Sequence, residues 1–195
     1  MAIKIITPPA ALLTLADLRL HLKLDTTGGV HADDSLIAAQ LAAAHEYCEH
    51  YTGRSYGSQT LELALDAFPS GPIQLPRGPV TGVTSVTYID SAQVTVVLSN
   101  AMYALDDYSA PAWLTFAYNT VWPDTLAAPN AVKVRYVAGA STLPSAVRAA
   151  LLLIVGHLYE HRESVSSGNL ASPSLTIVPM GVDALLDTQR EWSNY

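Results

Sequence analysis

The spacing of apolar residues changes period twice along this chain. Through residues 33–52, Ile37, Leu41, Ala44, Cys48 and Tyr51 recur at helical spacing, and Leu36, Ala43 and Tyr47 widen the stripe. Asp33 or Asp34 can cap the free amides at the start, where the helix dipole favours an acid. Gly53 offers the left-handed residue that ends a helix. A shorter helix is predicted before it, over residues 14–24. Thr14 is its cap, Asp17 stands at the third helical position, and Leu15, Leu18 and Leu22 form its apolar face. Residues 1–13 read as extended, since Pro8-Pro9 blocks a helix.

From Gln59 the period becomes two. Leu61, Leu63 and Leu65 alternate with Glu62 and Ala64, the pattern of a half-buried strand. Ile73-Gln74-Leu75 is a short strand stopped by Pro76-Arg77-Gly78-Pro79. Val83, Val86 and Tyr88, then residues 94–98, flank Asp90-Ser91 as a hairpin. Residues 103–105, 113–116 and 132–136 supply three more strands, and Gly139 closes the run. The helical period then returns. Pro144 is predicted as the first residue of a helix reaching Arg162, capped from around Thr142. Its stripe is Val147, Leu151, Ile154 and Leu158, and it is apolar nearly all round, so it is expected to be the central helix of a bundle. Residues 163–181, rich in serine, glycine and proline, read as a connector. A last short helix, residues 182–192, carries Leu185, Leu186 and Trp192. A helix this short is marginal alone, so it is expected to order on a partner.

The layout predicts an α+β fold: a bundle of about four helices with a small antiparallel β module inserted between the second and third. Residues 1–58 and 139–195 form the helical domain, and 59–138 the inserted module. At 195 residues the chain can bury one good-sized core. Only 14% of its residues are charged, against roughly 25% in an average soluble domain. So little charge leaves apolar area to be covered by partners, which points to oligomerisation. The net charge of −7 is spread along the chain without a basic stripe, so tight nucleic-acid binding is not expected. Cys48, the single cysteine, allows no internal disulfide and suits a reducing compartment. No signal peptide is expected, and the longest apolar run, residues 149–156, is far short of the ~20 that a membrane helix needs.

Three patterns invite a catalytic reading. His157, Glu160 and His161 match the H-x-x-E-H string of inverted zincins, but no third protein ligand is evident in a second helix. His45, Glu46 and His50 are one residue too long for a zinc-protease motif, which turns the second histidine about 100° away. Gly53-Arg54-Ser55-Tyr56-Gly57 matches the G-x-S-x-G elbow, yet that motif needs strand before and helix after, the reverse of the order here. The glycines are better explained as helix stop and turn. No cofactor or metal is expected. Trp113, Trp122 and Trp192, with ten tyrosines, are of the type that anchors protein contacts or packs a core.

A succession of short motifs runs from end to end. It starts with Leu15-Ala16-Asp17-Leu18, His21-Leu22-Lys23-Leu24, Asp33-Asp34-Ser35-Leu36-Ile37 and Tyr51-Thr52-Gly53-Arg54. It continues with Leu75-Pro76-Arg77-Gly78-Pro79-Val80, Val86-Thr87-Tyr88-Ile89-Asp90, Trp122-Pro123 and Val134-Arg135-Tyr136-Val137-Ala138-Gly139. Leu158-Tyr159-Glu160, Arg162-Glu163 and Gly181-Val182-Asp183-Ala184-Leu185-Leu186 complete it. In this order the motifs resemble the head–tail connector (adaptor) proteins of long-tailed bacteriophages and prophages. His161, where a small residue would be ordinary, is the departure.

The resemblance implies a structural, non-enzymatic virion protein of the neck, made in the host cytoplasm and without a membrane. It implies a ring of twelve under the portal protein, joining the head to a stopper or tail-completion protein, with DNA passing through unbound. The β module would be presented on the outer or tailward face. Leu185, Leu186 and Trp192 are the expected portal-docking residues, and Tyr159, Glu160 and Arg162 the expected subunit interface. The alternatives are another neck or tail-completion protein of the same virion, or a zinc hydrolase built on His157, Glu160 and His161.

Overall fold

In the computed structural model, which describes residues 2–25, 29–161 and 180–191, the alternating leucines near Gln59 form a strand with one buried face. This strand, Gln59–Leu65, lies between an N-terminal strand and a late one: β1 is Ala2–Thr7, β2 is Gln59–Leu65, β3 is Ile73–Leu75 and β4 is Val80–Ile89. Strands β5 (Thr95–Leu98), β6 (Tyr103–Asp106), β7 (Ala112–Phe116) and β8 (Val132–Ala138) follow. They make a five-stranded sheet in the order β1-β2-β8-β4-β5 and a three-stranded sheet in the order β3-β7-β6. All pairings are antiparallel.

Leu61, Leu63, Val86, Val132, Val134 and Tyr136 of the larger sheet are buried in one core with Ile73, Leu75 and Leu114 of the smaller. The alternation read from sequence therefore holds on β2 and β8. On the opposite face Glu62 stands directly across from Arg135 and accepts from its Nη2 at 2.6 Å. Tyr136 is fully buried, and its hydroxyl is satisfied by the Pro76 carbonyl at 2.8 Å. Burial pushes that phenol above its ordinary pKa.

The four helices are α1 (Leu15–His21), α2 (Asp34–Thr52), α3 (Ser145–Glu160) and α4 (Met180–Asp187). Thr14 and Asp17 cap each other reciprocally at the start of α1, as their spacing predicts. Arg19 of α1 grips Asp34 of α2 with two nitrogens, Nε at 2.7 Å from Oδ1 and Nη2 on Oδ2. The helix α2 packs on α3, and α3 on α4. Ile37, Ala44 and Cys48 are buried on α2, and Val147, Ala150, Leu151, Ile154 and Val155 on α3. The stripe of α3 is thus the bundle's spine, as expected.

The chain divides into two compact units. One comprises residues 1–10, 53–142 and 191–195, the other residues 11–52 and 143–190. Residues 1–10, grouped with the helices on sequence, thus enter the β unit as its edge strand. Ala2–Thr7 hydrogen-bonds to β2, a partner too distant in sequence for any local pattern to reveal. Pro144 also differs from expectation. It precedes the helix in an extended conformation, with ψ 141°, and no side chain caps α3.

Gly57, the last residue of the G-x-S-x-G string, is required by close backbone packing, as is Gly139. Gly57 has φ +86°, and a side chain there would fall on the carbonyl of Ala10. At Gly139, with φ +110°, a side chain would fall on the carbonyl of Gly57. Ser55 between the two glycines of the motif is buried, its amide bound to the Gly78 carbonyl at 3.0 Å. It follows a helix and precedes a strand, so it is no exposed nucleophile.

Candidate interaction surfaces

The last turn of α3 carries the residues expected at a subunit interface. Tyr159 is half-buried, and its hydroxyl donates to Asp33 Oδ2 at 2.6 Å within the helical unit. Beside it, Gln40 Nε2 donates to the Leu158 carbonyl at 3.0 Å, satisfying one of the acceptors a helix end leaves open. Glu160 is exposed. Arg162 lies outside the described residues. Tyr159 therefore braces the bundle, while Glu160 faces solvent.

His157 and His161 stack with ring centroids 4.5 Å apart. His161 has already left the helix, at φ −111° and ψ 69°. The zincin arrangement needs both histidines on one helix face, so the string does not reproduce it. Among the described residues no group of three or more histidine, cysteine, aspartate or glutamate side chains could hold a metal ion.

The expected docking helix α4 is packed into the bundle rather than free. Val182 and Leu186 are fully buried, and Leu185 is half-buried. Leu186 is thereby removed from any docking surface, because its side chain already fills the core. Trp192 lies outside the described residues. Two tyrosines of α2 latch this helix. Tyr47 donates to Asp183 at 3.2 Å and Tyr51 to Asp187 at 2.8 Å. The Arg190 guanidinium lies 5.5 Å over the Tyr51 ring. Burial and the Asp183 charge raise the Tyr47 pKa, and the bond to Asp187 raises that of Tyr51. Sequence reading missed this ladder, although its signal is present: two tyrosines four apart face two aspartates four apart.

Of the tryptophans, Trp122 belongs to the β unit's packing. It stacks on Phe68 at 4.9 Å and 6° between planes, and its indole donates to the Gly71 carbonyl at 3.1 Å. Among the described residues the exposed aromatics are instead Tyr108, in the β6–β7 turn, Phe116, at the end of β7, and Tyr118, just after it. The β1 edge adds a row of exposed isoleucines, Ile3, Ile5 and Ile6. Such surfaces are made for contact with other chains.

The comparisons with known proteins agree with that class of structural part. Residues 12–94, which span α1, α2 and strands β2 to β4, match the family model described as Phage gp6-like head-tail connector protein. No curated protein matches the chain. A chain in the virion of a native gene transfer agent particle is 25% identical with a TM-score of 0.76, over 100% of this chain and 98% of that one. A chain in the neck of an empty gene transfer agent particle, solved with sixfold symmetry, is 26% identical with a TM-score of 0.80 at the same coverage. A chain in the neck of the native particle, solved with twelvefold symmetry, shares the fold at 24% identity and a TM-score of 0.75. Residues 12–94 thus carry the pattern of a phage head–tail connector, and the chain as a whole is similar to a chain of a particle neck, which together support a structural connector role.

Proposed function

We propose that the chain assembles as a ring of twelve at the neck of a virion, under the portal, and joins the head to a stopper or tail-completion protein. The observation that carries this reading is the end-to-end likeness to chains from particle necks of sixfold and twelvefold symmetry. Charge supports a conduit. The net charge is −7, and Arg19, Arg135 and Arg148 are engaged by Asp34, Glu62 and Asp17, so DNA would pass without being gripped. The protein works as a part and not as a catalyst, built in the host cytoplasm and retained in the virion. No described helix is long and apolar enough to cross a membrane.

The helical domain, with the C-terminal segment, faces the portal in this reading. Leu185 and Trp192 touch it, and Leu186 anchors α4 from beneath. Glu160 and Arg162 serve contacts between subunits, with Tyr159 holding the end of α3 in place. The β module faces outward or tailward. The test is electron microscopy of the full chain mixed with portal-bearing heads lacking tails. A ring at the portal vertex is expected. Binding only to free tails would make it a tail-completion protein, and a monomer bound to neither would overturn the proposal.

A further inference from the structure

A chain that closes into a ring carries two different surfaces that fit each other, one on each side. We propose that these surfaces are the two open edges of the five-stranded sheet, with β5 of one copy pairing with β1 of the next. The inference rests on the ring reading above and names the contact that would build it.

Among the described residues β1 has a neighbouring strand on one side only, and all six of its residues are exposed. Ile3 and Ile5 stand in register with Leu63 and Leu61, which are fully buried. The core face of the sheet thus runs on to β1 and loses its cover there, leaving Ile3 37% and Ile5 46% exposed. At the opposite edge Val97 of β5 is 67% exposed, and Val94 just before it 55%. An apolar, β-branched, unpaired edge is a template for another strand. Chains that stay single blunt such edges with charge or proline. Here Lys4 is the one charge on β1, and residues 94–98 have none. Two copies of net charge −7 repel over most approaches, but no carboxylate lies on either of these strands.

Strand polarity fits a head-to-tail contact. Four antiparallel pairings separate β1 from β5, so the two edge strands run the same way. A sheet continued from copy to copy without turning over joins β5 to β1 in parallel and leaves one edge of each kind open, until a ring closes. Area argues against a simple dimer. One short edge buries roughly a few hundred Å² per partner, below the ~800 Å² of a standard stable interface. Closure gives every copy two such contacts.

The test uses the full chain with Lys4→Cys and Val97→Cys, which share the face of the sheet opposite the core, and a short bis-maleimide. Cys48 is fully buried and its thiol is pushed up to about 12 by burial, so it stays unlabelled. The double variant is expected to give a covalent ladder of oligomers. An equal mixture of the single variants should stop at heterodimers, and neither single variant should cross-link alone. Val97→Lys is expected to weaken association about tenfold with an unchanged melting curve. Cross-links between two Lys4→Cys chains would overturn the head-to-tail contact. Rings seen by microscopy without a cross-link between positions 4 and 97, or undisturbed by Val97→Lys, would overturn it and leave the ring reading standing. Monomer alone, even with portal-bearing heads present, would overturn both.

Discussion

The Tyr51 hydroxyl donates to Asp187 at 2.8 Å, joining the last turn of α2 to the end of α4. One turn earlier Tyr47 does the same to Asp183. Between these bonds and the buried Val182 and Leu186, the short C-terminal helix is a working member of the bundle. Leu186→Ala is therefore expected to cost about 2–5 kcal/mol, the range for a buried leucine. Truncation after Pro179 should lower the melting temperature as well. Urea unfolding of both variants checks this, and a midpoint unchanged from the parent would mean that α4 contributes nothing to the fold.

Asp17 gives the bundle a defined response to acid. The Thr14 hydroxyl and amide donate to its carboxylate at 2.7 and 3.0 Å, and Arg148 Nη2 does so at 2.9 Å. The Thr14 hydroxyl bond is the main reason that its pKa falls to about 2. A carboxyl that ionises near 3.9 when unfolded and lower when folded adds stability above about pH 4, and that stability is lost as pH falls toward 2. Asp17→Asn should melt below the parent at pH 7, with the gap closing by about pH 2. Thermal melts across this range decide it; a gap that ignores pH would contradict the assignment.

Gly139 and Gly57 set the approach of three chain segments in the β unit. A side chain at Gly139 would meet the Gly57 carbonyl, and φ +110° strains any other residue. Gly139→Ala should destabilise by more than the ~1–3 kcal/mol of backbone strain alone. Equilibrium denaturation followed by tryptophan fluorescence, which reports on Trp113 and Trp122, measures it. A loss under 1 kcal/mol, or about half the unperturbed strain term, would show that the segments can part at little cost.

The helical unit should survive without the β unit. Its helices α2 and α3 pack directly, and Arg19–Asp34, Arg148–Asp17 and Tyr159–Asp33 all close within it. Removing residues 1–10 and replacing 53–142 by a short glycine-serine linker is expected to leave a cooperatively melting helical protein. Absence of helical circular dichroism would refute this independence.

Local pattern made much of this protein legible. The capping pair Thr14–Asp17, the stripe of α3 and the alternation of Leu61 and Leu63 with Glu62 are each written within a few residues. The order of motifs carried the connector resemblance, which the family match over residues 12–94 supports. Leu186 was harder to place. An apolar face on a short helix looks the same whether it waits for a partner or packs on α3 in the same bundle.

The sequence by itself determined which segments are helix or strand and which faces are apolar, because the repeats of 3.6 and 2 are properties of neighbouring residues. It also determined the low charge that leaves area for other copies. Only the tertiary structure decided that Ala2–Thr7 pairs with Gln59–Leu65, that Tyr47 and Tyr51 latch α4, and that β1 and β5 are the edges of the sheet among the described residues. These depend on which distant segments meet. Strand pairing and helix docking are chosen by the burial and hydrogen bonding of the whole chain, which no single stretch of sequence contains.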